Sequence, residues 1–200
     1  MALASLGGRP EPQHIPILPA LPVWTMMLDT PPSAAGAMDA ERIYVPVEEG
    51  GVRAYAPETG TLIWNDPAST RRPLLAGDGM LFTVPGAEVR GLDASTREIL
   101  WRREMPEGIA APLVLNGTHL LVATETGELV ARGSRDGEVM WRRQLGAPAP
   151  HPAAPLDASM IVVTLTDGEV NPRHAWLQVL AARVFAVELG SRTGLGWPGG

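Results

Sequence analysis

The chain has 200 residues, 45% of them hydrophobic and 19% charged, with a formal net charge of −6, the balance of a soluble globular protein of one or two domains. It contains no cysteine, which excludes a disulfide framework, a thiolate nucleophile, a Cys-ligated zinc and a lipobox acylation site. No apolar run reaches the roughly 18 residues that cross a bilayer, and the acidic balance argues against a general nucleic-acid binder. Gly and Pro together make up about a fifth of the chain, a composition that wants many turns and little helix. All 16 basic residues are Arg, which reads as a coding bias more than a mechanism.

In chain order, residues 1–23 are a Pro-rich lead-in, read as extended or disordered. Met1 to Leu21 shows no charged region followed by an apolar one, so no secretory signal is read there. Repeats begin at Trp24. Six of the ten aromatics are Trp, at positions 24, 64, 101, 141, 176 and 197. With Trp176 set aside the spacings are 40, 37, 40 and 56. Three of them match the period of a four-stranded propeller blade. The units are about 24–64, 65–101, 102–141 and 142–197.

Each unit reads as strand, tight turn, strand, turn, strand ending in Trp. Gly50, Gly51, Gly127 and Gly168 supply the positive φ of short hairpins. Gly60 and Gly137 do the same at the second turn, where Arg97 breaks the column, so a strained or differently built turn is expected there. A small residue, Ala54, Gly91 or Ala131, stands ten positions before the Trp. A larger side chain there is expected to clash with the neighbouring sheet. Pro32, Pro73, Pro112 and Pro155 precede the first strand of each unit and mark the innermost strand. The fourth unit departs from the pattern. Residues 174–189 read either as two strands or as an amphipathic helix, and the spacing from Gly194 to Trp197 is a residue short.

The stretches from Ala54 to Gly60 with Trp64, and from Gly91 to Thr96 with Trp101, resemble the quinoprotein-like (PQQ-binding-like) β-propeller repeat. The resemblance covers about residues 24 to 197. It implies an all-β propeller of four-stranded antiparallel blades in which Trp24, Trp64, Trp101, Trp141 and Trp197 dock between adjacent blades. Burial of large indoles in register agrees with that role, which is preferred to ligand stacking. The family includes dehydrogenases that use pyrroloquinoline quinone and the envelope lipoprotein that assists outer-membrane protein assembly. The enzymes are eight-bladed, with a calcium-binding Glu/Asn/Asp set that finds no match here. No catalytic residue, cofactor or metal site is therefore assigned.

Other chemistry is sparse. His14, His119, His151 and His174 are scattered, with no pair at metal-ligand spacing. Arg102 and Arg103 follow Trp101, Arg142 and Arg143 follow Trp141, and Arg71 and Arg72 precede Pro73. Together these six make a candidate basic rim for an acidic partner surface, with a solvated strand exit as the alternative. The expected function is a non-catalytic interaction scaffold of the bacterial envelope with an unidentified protein partner. A fragment of a quinoprotein dehydrogenase is the alternative. About four blades should form an open arc whose end faces favour self-association, as in the N-terminal portion of a longer propeller.

Overall fold

The computed structural model describes residues 24–48, 51–67, 70–155, 160–166 and 182–188. Among these residues fifteen strands fall into four antiparallel sheets. The first holds β1 (Ala37–Met38), β2 (Ile43–Val47), β3 (Gly51–Tyr55) and β4 (Leu62–Asp66). In the second are β5 (Leu75–Gly77), β6 (Met80–Thr83), β7 (Glu88–Asp93) and β8 (Ile99–Glu104). β9 (Val114–Asn116), β10 (His119–Ala123), β11 (Glu128–Gly133) and β12 (Val139–Gln144) form the third. β13 (Ala154–Pro155), β14 (Met160–Thr166) and β15 (Ala182–Glu188) form the fourth, three-stranded among the described residues.

Strands in each sheet lie in sequence order. β1 lies beside β5 and β5 beside β9, so the short first strands gather on the inside. No strand of the fourth sheet pairs with the first among the described residues. The protein is an all-β open propeller of about four blades. Pro73 and Pro112 precede inner strands, Pro155 sits in β13, and Pro32 makes a lone bridge to Val47. Of the two readings of residues 174–189, the strand holds for β15, which pairs with β14 over its whole length. The lead-in of residues 1–23, Trp176 and Trp197 lie outside the described residues.

The hydrophobic core is divided among the seams between blades. Tyr44, Val52 and Ala54 of the first blade meet Leu81, Leu92 and Ala94 of the second. Met80, Phe82, Val89 and Trp101 meet Leu113, Leu120 and Val122 of the third. Leu121, Leu129 and Ala131 meet Ile161, Val163 and Leu165 of the fourth. The second and third sheets are therefore apolar on both faces, and each is stabilised by its neighbours. Every outer strand of the first three blades carries a register shift opposite Ala54, Gly91 or Ala131. Such a bulge bends an edge strand away from pairing with another chain. Ile63, Leu100 and Met140, each just before the Trp, are exposed there.

Candidate functional site

The tryptophans lie at the seams with a common geometry. Trp24 Nε1 donates to Pro57 O at 2.7 Å, Trp64 Nε1 to Ala94 O at 3.3 Å, and Trp101 Nε1 to Ser134 O at 2.9 Å. The three acceptors occupy one position of the turn between the third and fourth strands of the following blade. In that turn Gly60 N donates to Ala56 O, Arg97 N to Asp93 O, and Gly137 N to Gly133 O. Trp101 is buried, whereas Trp24, Trp64 and Trp141 are partly exposed.

Two features of the turn set how closely an indole can approach. Gly60, Arg97 and Gly137 all have φ of 67°, and an L side chain is strained in that left-handed region. The strained turn expected at Arg97 is thus present. At Gly60 and Gly137 the space a Cβ would fill is taken by the indoles of Trp24 and Trp101. Arg97 carries a Cβ at the equivalent place, and Trp64, which docks against that turn, makes the longest of the three bonds.

The small-residue column meets two different neighbours. Gly91 and Trp101 are cross-strand partners in one sheet, as are Ala54 with Trp64 and Ala131 with Trp141. A Cβ on Gly91 would overlap the Trp101 ring itself. At Gly91 the constraint comes from the blade's own tryptophan, folded over β7, whereas Ala54 and Ala131 pack against the neighbouring sheet, as expected.

The arginines have different surroundings. Arg103 reaches forward to the third blade, donating to Gly137 O at 3.3 Å and Asp136 O at 3.0 Å and pairing with Glu138. Arg142 pairs with Glu128 at 2.8 Å and lies 3.9 Å from Glu107. Arg71, Arg102 and Arg143 are exposed, and Arg72 is half-buried with its N–H on Thr70 Oγ1.

A cleft of about 390 Å³ opens among the turns of three successive blades. Its walls include Asp39, Glu41 and Arg42 from the first, Asp78 and Asp93 from the second, and Arg135 from the third. Arg135 bridges blades, its Nη2 donating to Asp78 O at 2.6 Å and pairing with the Asp78 carboxylate at 3.1 Å. Asp93 accepts from Ser95 Oγ at 2.6 Å and from the N–H groups of Ser95 and Thr96, and these bonds hold its carboxyl well below the usual range. Burial works to raise the Asp39 carboxyl, but hydrogen bonds from Tyr44 Oη and the N–H groups of Glu41 and Arg42 outweigh it and keep it low. Burial, with the bond to Asp39, pushes the Tyr44 hydroxyl up.

Both carboxylates stay ionised at neutral pH, so the cleft is fixed in charge and carries both signs. None of Asp39, Asp78, Asp93 or Arg135 stood out in the sequence. The signal present was the Asp with Ser and Thr two and three residues on, which marks an Asx turn. Among the described residues no group of three His, Asp or Glu is placed to hold a metal ion, and no helix is long and apolar enough to cross a membrane.

Repeated four-stranded blades, seamed by tryptophans that bond the next blade's turn, define a β-propeller of the quinoprotein-like class. The sequence profile described as "Outer membrane protein assembly factor BamB" matches residues 22–111 and 85–176. The chain belongs to that family. It is 29% identical over 127 residues to the outer membrane protein assembly factor BamB of Legionella pneumophila (strain Paris), covering 55% of this chain and 33% of that protein. To the BamB of Bordetella pertussis (strain Tohama I) it is 30% identical over 112 residues, covering 54% and 29%. The matches thus span about a third of those relatives. Among solved structures, BamB from Moraxella catarrhalis superposes with a TM-score of 0.60 at 16% identity, over 72% of this chain and 51% of that one. The quinohemoprotein alcohol dehydrogenase ADHIIG from Pseudomonas putida HK5 gives 0.55 at 12% identity, over 70% and 29%. These structural likenesses show the fold.

Proposed function

We propose that the chain is a non-catalytic docking scaffold of the bacterial envelope that holds a protein partner during outer-membrane protein assembly. The observation that carries this reading is the family match across residues 22–176, with both sequence relatives named for outer-membrane protein assembly. The turn face is the docking surface we assign. Its cleft spans three blades and presents ionised carboxylates beside Arg42 and Arg135, and fixed charges of both signs select a partner's register and suppress wrong partners. The six-arginine rim is a weaker candidate, because Arg103 and Arg142 already have carboxylates. The dehydrogenase alternative has only a likeness of fold behind it.

The test is genetic. Inactivating the gene should lower the outer-membrane β-barrel content of the cell, and the wild-type chain should restore it. Arg135→Glu should fail to restore it while melting like wild type, since an exposed pair contributes about 0–1 kcal/mol. Unchanged β-barrel content without the gene would overturn the reading. So would dye-linked alcohol oxidation by the purified chain mixed with pyrroloquinoline quinone and calcium.

A further inference from the structure

The seam between the second and third blades carries a polar pair where the preceding seam is apolar. Leu92 and Arg132 hold equivalent positions, each cross-strand from the first residue of its outer strand, Ile99 or Val139. Ala94 and Ser134 are likewise equivalent. Their carbonyls accept from Trp64 and Trp101, and their N–H groups donate to Gly79 O and Thr118 O. Leu92 and Ala94 both pack into the first seam. Arg132 and Ser134 therefore face the second seam from one side of the third blade, two residues apart. They are as buried as their apolar counterparts: Arg132 is 6% exposed and Ser134 1%, against 4% for Leu92 and 1% for Ala94.

Neither polar group is fully partnered. Arg132 Nη1 donates to Gly137 O at 2.8 Å, and Nη2 lies 3.5 Å from Met105 Sδ. Arg132 Nε and Ser134 Oγ are buried with no hydrogen-bond partner among the described residues. No carboxylate makes an ion pair with Arg132 among the described residues. Of the nearby acids, Glu138 is taken by Arg103, and Glu107 lies 3.9 Å from Arg142. Arg103 and Arg142 add further positive potential at Arg132, where burial already disfavours the charged form, and the charges of Glu107 and Glu138 offset this only in part. A guanidinium buried without a carboxylate in direct contact is costly. Nε–H can only donate, and a hydroxyl can turn its proton outward. The matching occupant is an acceptor with negative charge, small enough for a packed seam.

We propose that this seam seats one monatomic anion of the chloride class between the Arg132 guanidinium and the Ser134 hydroxyl, locking the third blade to the second. An ion that binds only the folded chain stabilises it by mass action. In a buffer of constant ionic strength in which gluconate is exchanged for chloride, Tm should rise with chloride. Above saturation, the unfolding equilibrium constant should fall tenfold for each tenfold rise in chloride. The double variant Arg132→Leu with Ser134→Ala copies the residues of the second blade, so it should fold and should lose the chloride dependence. Bromide in a crystal should give an anomalous peak beside Arg132 Nε in the wild type alone. A wild-type Tm indifferent to chloride, as expected if a water satisfies both groups, would refute the proposal. An equal chloride dependence in the double variant would refute it too.

Discussion

Gly137→Arg recreates in the third blade the turn that Arg97 makes in the second. Gly137 has φ of 67°, and a Cβ there would lie 2.6 Å from Trp101 Cε3. A side chain held in the left-handed region costs about 1–2 kcal/mol. Pushing back the indole re-exposes roughly 50 Å² of a ring now 5% exposed, about 1.3 kcal/mol at about 25 cal/mol/Å². Losing glycine's freedom in the unfolded chain returns about 0.4–1 kcal/mol. The net loss is about 2 kcal/mol, or a fall in Tm of about 4–8 °C for a chain of this size. The reverse change, Arg97→Gly, relieves the strain and lets Trp64 settle. It gives up the Arg97 Nη1 bond to Asn65 O, about 0.5 kcal/mol when exposed, and pays the glycine term. It should raise Tm by about 1–2 °C. Thermal melts followed by tryptophan fluorescence and near-ultraviolet circular dichroism measure both. If the two variants move Tm in the same direction, or Gly137→Arg melts like wild type, the account of the docking turn is wrong.

Trp101→Ala should cost about 3–5 kcal/mol, as for a large buried aromatic. Arg102→Ala, beside it but exposed, should cost about 0.5 kcal/mol or less, and equal melting temperatures would remove the seam role of Trp101. The Asp93 carboxyl titrates below its unfolded value, so its contribution is present above the unfolded pKa near 3.9 and is lost as pH falls through the folded value. The Tm gap between wild type and Asp93→Ala should therefore be widest at neutral pH and close in acid, and a gap constant into strong acid would contradict the hydrogen-bonded turn.

The blades were legible because their period is carried by residue types with few alternatives: Trp at a strand end, Gly at a positive φ. The strain at Arg97 could be read as a gap in a glycine column. Which atom Trp101 bonds could not, since Ser134 O lies 33 residues away and its partner is backbone, which has no sequence signature. The cleft was hidden for a related reason. Asp39, Asp78, Asp93 and Arg135 are common turn residues, and only the stacking of three blades brings them together. The forward reach of Arg103 was likewise invisible, because a charged pair at a strand exit looks the same whether it is solvated or caps the next turn. In the small-residue column the neighbouring sheet was the expected contact, which Ala54 and Ala131 make, while at Gly91 the blade's own Trp101 sets the limit. Spacing locates a steric demand without saying which neighbour makes it.

The indole bonds all run one way along the chain, from Trp24, from Trp64 in β4 and from Trp101 in β8 to a carbonyl 30 to 33 residues further on. During synthesis at about 5–20 residues per second, each tryptophan waits about 1.5–7 s for its acceptor. Growth is therefore vectorial. A finished blade shows an unsatisfied indole and an apolar face to solvent until the next turn emerges, and every addition covers the previous face while opening a new one. A nascent propeller of this kind always presents a fresh sticky face at its leading edge, where a holding chaperone would find it.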